Sequence, residues 1–414
     1  MQNTIDFATM PVVDVVNKII VDSARAGASD IHFDHSDNYL KVRIRIDGIL
    51  NDYLDIPNNV KNNVITRIKI LSGMNITETR LPQDGAIKTT LEGMDLDMRV
   101  SSLPTKKGEK IVIRILDYSR SLKGIEYLFF SEENYKKVLK MLEEPNGIIL
   151  VTGATGSGKS TTVYSFLQKL NVKGTNLITV EDPVEMDIEG INQVQVNSEI
   201  GLDFATVLRS ILRQDPNVIM IGEIRDSETA QIAVRASITG HLVLSTLHTN
   251  NSLTTIERLL DMNVERYLLA SALSGIVSQK LARKLCDNCK KPRETTTYEK
   301  DMFRRFLNLD VPQIYTPVGC PQCSSGYRGR IAIQEVLLIS PDIRDAINAK
   351  MPKAELRNLV YNSDVITLLQ DGLYKVLAGF TSIEEIIKLT EADDEVNAET
   401  KFKVNVNNNQ STTS

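Results

Sequence analysis

The spacing of apolar residues changes near residue 120 and divides the chain into two parts. In the first part, residues 40–46 alternate strictly between apolar and polar. This predicts a half-buried strand with Lys41, Arg43 and Arg45 on its outer face.

Helical and alternating segments accompany this strand, and together they predict a small α+β domain over residues 1–118. The predicted helices cover 11–27 and 60–71, and the further predicted strands cover 87–103 and 109–116.

In the second part, the apolar runs become short and continuous. Four of them, GIILVTG, LITVEDP, NVIMIGE and HLVLSTLHT, are separated by stretches with helical spacing. Continuous apolar strands are typical of a parallel sheet that helices cover on both faces. Each run ends in polar residues, and ligands bind beyond the carboxyl ends of such strands, so we expect the four tips to form one site.

This pattern predicts an α/β domain over residues 131–395, joined to the first domain by a linker at 119–130. The last segment, 396–414, is polar and ends in an asparagine-rich stretch. Such a composition cannot bury enough apolar surface to fold, so we expect a disordered tail.

The strongest chemical signal is GATGSGKST, which directly follows the apolar strand GIILVT. It fits the pattern G-x-x-x-x-G-K-[ST], in which glycines let successive backbone N–H groups face a polyphosphate. Lys159 is expected to reach the β- and γ-phosphates, and Ser160 to bind Mg²⁺ through its hydroxyl. The predicted nucleotide-binding residues are Gly153, Ala154, Thr155, Gly156, Ser157, Gly158, Lys159, Ser160 and Thr161.

Three other predicted strand tips carry groups suited to phosphoryl transfer. Glu223 ends the run NVIMIGE, where a carboxylate can hold a metal through water or polarise the attacking water. Glu181, Asp182 and Glu185 form an acidic cluster after LITV. His248 follows LSTL, where a neutral imidazole can sense the γ-phosphate, although a structural histidine is the alternative.

Phosphoryl transfer needs a positive charge that stabilises the negatively charged transition state. Arginine commonly supplies this charge, which is worth roughly 10³ to 10⁵ in rate. Arg209 and Arg213 are candidates because they are spaced i, i+4 on one predicted helix. Arg225 and Arg258 are candidates in the same domain. Arg43 lies in the other predicted domain, so we expect any contribution from it to cross a subunit boundary.

All four cysteines of the chain fall in two matched pairs, with the spacing C-x2-C-x30-C-x2-C. Four thiolates suit a tetrahedral Zn²⁺ that has no open position for substrate, so the metal is expected to be structural. Two thioredoxin-like redox pairs are the alternative, but neither pair opens a helix after a strand. We therefore predict a zinc module over residues 284–330 with the ligands Cys286, Cys289, Cys320 and Cys323.

Composition and charge argue against some classes of protein. The net charge of −5 argues against constitutive nucleic-acid binding. No apolar run reaches the roughly 18 residues that a membrane span needs, and the first residues lack the layout of a signal peptide. We therefore expect a cytoplasmic protein that binds no nucleic acid directly.

Nine segments, in order, resemble the type II secretion and type IV pilus assembly ATPases (GspE/PilB family), from about Pro11 to Thr390. The segments are ASDIHF, VRIRIDG, RLPQDG, GATGSGKST, ITVEDPVE, LRQDPNVIMIGEIRD, TGHLVLSTLHTN, QKLARKLC and GYRGR. The resemblance implies a hexameric ring of RecA-like P-loop ATPase domains. Each is joined to a PAS-like N-terminal domain, with ATP bound between the two.

The resemblance also implies roles for single residues. Glu223 would be the catalytic glutamate, with Glu181 and Asp182 assisting metal and water placement. The interfacial arginines of the family map onto the candidates above and onto Arg330. Tetracysteine modules mark secretion and pilus-extension members, so the cysteines favour assembly over retraction. Larger members begin with an extra N-terminal domain, and we expect this chain to be a short form without it.

We therefore predict an ATP-hydrolysing hexameric motor with Mg²⁺ and Zn²⁺ as cofactors, at the inner face of the cytoplasmic membrane. A membrane platform protein would be its partner and would provide its peripheral membrane association. The motor would power assembly of a type IV pilus or a type II secretion pseudopilus. A retraction or DNA-uptake motor, a nucleic-acid motor and a non-hydrolysing nucleotide-bound scaffold are the alternatives.

Overall fold

The computed structural model of the chain describes residues 5–116, 124–361 and 364–390. The chain divides into two compact units between Ser121 and Leu122. The predicted tail lies outside the described residues, as does the first part of the predicted linker. Within the described ranges, no helix is both long and apolar enough to cross a membrane.

The N-terminal unit is a six-stranded antiparallel sheet with two helices packed on one face, in the strand order β3-β2-β1-β6-β5-β4. Its core lies between the helices and the apolar face of the sheet. The elements are α1 (Val12–Arg25), β1 (Ala28–His35), β2 (Tyr39–Ile46), β3 (Ile49–Pro57), α2 (Asn58–Leu71), β4 (Gln83–Leu91), β5 (Met94–Thr105) and β6 (Gly108–Leu116).

The alternation in β2 is confirmed. Leu40 and Val42 are fully buried in the core, whereas Lys41, Arg43 and Arg45 alternate with them and are only partly buried. Successive side chains of a strand point to opposite faces, so this pattern places the three cations on the outer face of the sheet.

The C-terminal unit is built on a seven-stranded sheet in the order β15-β12-β7-β11-β10-β8-β9. Strand β15 is antiparallel to β12, and the other neighbours are parallel. The strands are β7 (Gly147–Thr152), β8 (Leu177–Glu181), β9 (Asn192–Gln195), β10 (Val218–Ile221), β11 (Leu242–Leu247), β12 (Leu273–Leu285) and β15 (Tyr327–Leu338), and a small separate sheet pairs β13 (Lys291–Glu294) with β14 (Gln313–Thr316).

Helices cover this sheet and follow most of its strands. Residues of β7, β8, β10 and β11 are buried along their whole length, as continuous apolar strands require. The α-helices are α3 (Glu132–Leu142), α4 (Lys159–Leu170), α5 (Phe204–Ile211), α6 (Ser227–Ile238), α7 (Ser252–Asp261), α8 (Arg266–Ala272), α9 (Thr297–Leu307), α10 (Pro341–Asn348), α11 (Lys353–Tyr361), α12 (Leu368–Leu377) and α13 (Ile383–Thr390), and short 3₁₀ helices cover Ile125–Leu128 and Ser198–Ile200.

The parallel sheet predicted from the sequence is confirmed, but the sheet is larger than the four predicted strands. Strands β12 and β15 form a long hairpin on its edge, and β12 extends the parallel part next to β7. The segment predicted as the zinc module lies largely in the connection between these two strands. The C-terminal helices α12 and α13 pack against the same hairpin through a separate hydrophobic cluster.

One ion pair is buried in this C-terminal packing. Lys375 donates to Asp371 at 2.5 Å, one helical turn earlier on α12, and also to the carbonyl oxygen of Ala332 at 2.6 Å. Burial raises the pKa of Asp371 and lowers that of Lys375, so desolvation works against both charges. Each charge is therefore retained only because the other is present.

Replacing Lys375 by methionine would leave the Asp371 carboxylate buried without its cation. We expect Lys375→Met to lower the free energy of unfolding by about 3 to 5 kcal/mol, measured by urea unfolding of the full chain. Lys136→Met is the matched control, because Lys136 pairs with Glu132 at the same i, i+4 spacing on an exposed helix face. The control should keep the wild-type midpoint, and equal losses in both variants would contradict this account.

Candidate active site

The predicted phosphate loop connects β7 to α4, and its backbone depends on glycine. Gly153, Gly156 and Gly158 have positive φ values of 151°, 79° and 89°, which side-chain-bearing residues rarely adopt. A Cβ on Gly153 would lie 2.4 Å from the carbonyl oxygen of Gln279, and one on Gly158 would lie 2.7 Å from Nε2 of the same residue. The loop therefore runs directly against strand β12.

Lys159 is the first residue of α4 and is 8% exposed. Its ammonium donates to the carbonyl oxygens of Gly153 and Ala154, at 2.9 and 3.1 Å, so it lies across the opening residues of the loop. Burial lowers the pKa of Lys159, and the negative charge of Glu223 opposes that shift. Ser160, the next residue, is exposed in the first turn of α4.

The polar strand tips converge, as predicted. Thr152 at the end of β7 pairs with Leu247 at the end of β11, and Ile221 of β10 lies beside Ser245 and Val180. Because these strands are parallel and in register, the residues that follow them emerge at one edge of the sheet. The phosphate loop emerges at that edge too.

Glu223, two residues after β10, has two cationic or polar partners. Its carboxylate accepts a hydrogen bond from Arg225 at 2.5 Å, and Nε2 of His248 lies 3.4 Å from its other oxygen. Arg225 also donates to Asp182 at 3.1 Å, so it bridges the tips of β8 and β10. Burial favours the neutral acid, but Arg225 and then His248 outweigh it, so the pKa of Glu223 is lowered. The carboxyl group is therefore ionised at neutral pH.

Glu181 occupies a different environment from its neighbour Asp182. It is 3% exposed, and its oxygens accept from the hydroxyl of Tyr164, from Thr179 at 2.6 Å and from Gln193 at 3.0 Å. The resemblance implies that Glu181 assists metal and water placement, and in the described structure these neutral donors hold its carboxylate. Adjacent residues at a strand end point to opposite faces, so one tip delivers one carboxylate to the cluster and one to the interior.

The other predicted arginines of the C-terminal unit do not join this cluster in the described structure. Arg209 pairs with Glu228, and Arg213 donates to the carbonyl oxygen of Arg209 at 2.8 Å. Arg258 is exposed in the last turn of α7, and Arg330 is exposed on β15. In the N-terminal unit, Arg43 pairs with Asp34 at 2.7 Å. Arg225 is the predicted arginine that contacts Glu223.

Sequence reasoning missed several side chains that hold this site in place. Tyr164 and Gln193 hold Glu181, and Gln279 contacts the phosphate loop from β12. None of them belongs to a phosphate-binding pattern, and Gln279 lies 122 residues beyond Ser157, the loop residue it holds. The one signal in the sequence that could have found Gln279 is its place in QKLARKLC, a segment of the family resemblance.

The four cysteines lie together. Their sulfur atoms are all within 4.8 Å of one another, with 3.9 Å between Cys286 and Cys320 and 3.7 Å between Cys289 and Cys323. A tetrahedral zinc ion with Zn–S bonds of about 2.3 Å requires sulfur atoms about 3.8 Å apart, so the cluster fits such an ion. Each pair sits in a tight turn in which the second cysteine N–H donates to the first carbonyl at 3.2 Å.

Comparisons with known proteins show the family to which the chain belongs. The family described as "Type II/IV secretion system protein" matches residues 7–388. The "Type II secretion system protein E" of Pectobacterium carotovorum subsp. carotovorum is 44% identical over 384 residues, which cover 92% of this chain and 76% of that protein. The "Type IV pilus assembly ATPase PilB" of Pseudomonas aeruginosa is 44% identical over 388 residues, covering 92% and 68%.

A solved structure shares the fold. The Legionella pneumophila ATPase DotB superimposes with a TM-score of 0.70 at 19% identity and covers 94% of this chain and 98% of its own. The family predicted from the nine ordered segments is confirmed by the family match and by the two relatives. The chain belongs to the type II/IV secretion system protein family and is an ATP-hydrolysing enzyme of that family.

Proposed function

We propose that this chain is a motor that uses ATP hydrolysis to drive assembly of a type IV pilus or a type II secretion pseudopilus. The observation that carries the proposal is the meeting of the phosphate loop with Glu223 at one edge of the parallel sheet. A loop that holds a triphosphate and a carboxylate that is ionised at neutral pH are the two parts that phosphoryl transfer to water requires.

Each part has a defined task in this proposal. The backbone N–H groups of residues 153–161 and the Lys159 ammonium bind the phosphates of ATP. Ser160 would hold Mg²⁺, which offsets phosphate charge when bound. Glu223 orients the attacking water and accepts its proton, and its low pKa keeps it unprotonated for that purpose. His248, 3.4 Å from Glu223, is placed to report the γ-phosphate to the same carboxylate.

The architecture supports finer assignments. Strand β11 lies between the loop strand β7 and the Glu223 strand β10, which supports a RecA-like domain over residues 131–395. The antiparallel sheet with helices on one face supports a PAS-like domain over residues 1–118. The similarity to secretion and pilus ATPases supports a hexameric ring in the cytoplasm, docked on a membrane platform protein.

Assembly is favoured over the related alternatives. Four clustered cysteines fit a structural zinc ion. The family resemblance implies such modules in extension motors rather than in retraction motors. Retraction or DNA uptake is therefore the second candidate. A nucleic-acid motor is less favoured because the chain carries a net charge of −5.

Two substitutions separate nucleotide binding from hydrolysis. Lys159→Ala should abolish binding, because the phosphates lose their buried cation. Glu223→Gln should keep binding but lower turnover by at least about 10²-fold, because the amide cannot accept the water proton. Steady-state phosphate release and MgATP titration measure the two effects. Lys173→Ala, a change at an exposed lysine of the same unit, should match wild type, whereas wild-type turnover in Glu223→Gln would overturn the mechanism.

Mixing Arg43→Ala chains with Glu223→Gln chains, each of which we expect to release little phosphate alone, tests whether Arg43 acts across a subunit boundary. Arg43→Ala chains keep Glu223, and Glu223→Gln chains keep Arg43. If Arg43 completes the site of a neighbouring chain, mixed rings contain some sites with both groups, so phosphate release should recover on mixing. No recovery, under conditions where wild-type chains assemble and hydrolyse ATP, would exclude a role in trans for this arginine.

Metal content tests the tetracysteine site directly. We expect the purified chain to contain about one zinc ion per chain, and Cys286→Ser to lose most of it because three thiolates bind zinc far less tightly. Gln322→Ser is the matched control, since Gln322 lies between Cys320 and Cys323 and offers no thiolate. Elemental analysis gives the readout, and full zinc retention in Cys286→Ser would contradict the assignment.

A further inference from the structure

Gln279 is the residue of β12 that contacts the phosphate loop. It is 2% exposed, and its Nε2 donates to the carbonyl oxygen of Ser157 in the middle of the loop at 2.7 Å. Its Oε1 accepts from the hydroxyl of Thr162, in the first turn of α4, at 2.8 Å. One side chain therefore holds both the loop and the helix that the loop opens.

The orientation of the Gln279 amide is determined by its neighbours. Gln334 lies directly opposite on β15 and donates to Oε1 of Gln279 at 3.4 Å. Oε1 thus faces two donors, Thr162 and Gln334, while Nε2 faces a carbonyl oxygen, so a flipped amide would lose these contacts. Gln334 is itself held, because it also donates to the carbonyl oxygen of Leu128 at 3.0 Å.

These contacts orient the peptide group between Ser157 and Gly158. In a trans peptide the C=O and the following N–H point in opposite directions. With the Ser157 carbonyl held by Gln279, the N–H of Gly158 points away from β12, as a phosphate-binding donor must if it is to be free for a ligand. The contact also explains why residue 158 is a glycine, since a Cβ there would lie 2.7 Å from Nε2 of Gln279.

We propose that Gln279 is a positioning residue for nucleotide binding, which keeps the backbone of residues 157–158 and the start of α4 in the phosphate-binding arrangement. The inference rests on the proposed nucleotide site and adds a residue outside the loop on which its affinity depends. The residue acts through the loop and does not contact the nucleotide.

The test compares binding of MgADP to the full chain in four variants, by calorimetric titration, with kcat and KM for ATP measured in parallel. Gln279→Met keeps the length of the side chain and removes both hydrogen bonds, so we expect the Kd to rise by about tenfold. Thr162→Val should raise the Kd in the same direction by a smaller factor. Thr162→Ser, which keeps the hydroxyl, should restore binding close to wild type.

Thr390→Val is the matched control for general destabilisation. Thr390 is a buried helical threonine whose hydroxyl bonds to the carbonyl oxygen of Ile386 at 2.8 Å, in a different part of the unit. A purely structural role for Gln279 predicts a lower thermal midpoint with unchanged Kd and KM, as in this control. A positioning role predicts weaker binding in the folded variant.

The outcomes are distinguishable. Wild-type chain that binds no MgADP would overturn the proposed function itself. Wild-type binding together with unchanged Kd and KM in Gln279→Met would overturn this inference alone. If Gln279→Met does not fold, the Thr162→Val and Thr162→Ser pair decides, and equal affinities in those two variants would overturn the proposal.

Discussion

The parallel pairing of β7 with β11 on one side and β12 on the other is the constraint on which the site depends. It places the end of β7 between two strands of known register, so the loop that follows has only one edge of the sheet at which to emerge. The same register brings the ends of β8, β10 and β11 to that edge. Chemistry is concentrated there because parallel strands present all of their carboxyl ends together.

Electrostatics at this edge depends on a few short contacts. Arg225 bridges Asp182 and Glu223 and lowers the pKa of Glu223, which burial alone would raise. Glu181 is directed inward and anchors β8 to α4 through Tyr164. Two adjacent carboxylates therefore have different surroundings, since Asp182 contacts an exposed cation and Glu181 accepts from neutral donors.

The β12–β15 hairpin connects the site to the rest of the C-terminal unit. On one side, Gln279 contacts the phosphate loop, and Gln334 donates to the side chain of Gln279. At its far end, the hairpin leads into the cysteine cluster, where the Cys286 N–H donates to Gly326 and the Leu285 N–H donates to Phe380, just before α13. These cysteines could hold a metal ion at this end of the hairpin.

Local patterns were enough to predict part of this protein. The loop from Gly153 to Thr161 could be predicted because its glycines and its preceding strand are adjacent in the sequence. The alternation around Arg43 and the paired cysteines could be predicted for the same reason. The strand order and the added strands β12 and β15 could not be predicted, because they arise from pairing between distant segments.

The sequence by itself determined the chemistry that short segments carry, namely a phosphate loop, a carboxylate at a strand end and four thiols at chelating spacing. Only the tertiary structure decided which side chains meet. It paired Arg225 with Glu223, turned Glu181 towards Tyr164 and placed Gln279 under the loop. The physical reason is that backbone conformation follows from neighbouring residues, whereas side-chain contacts follow from the register of strands that lie far apart in the chain.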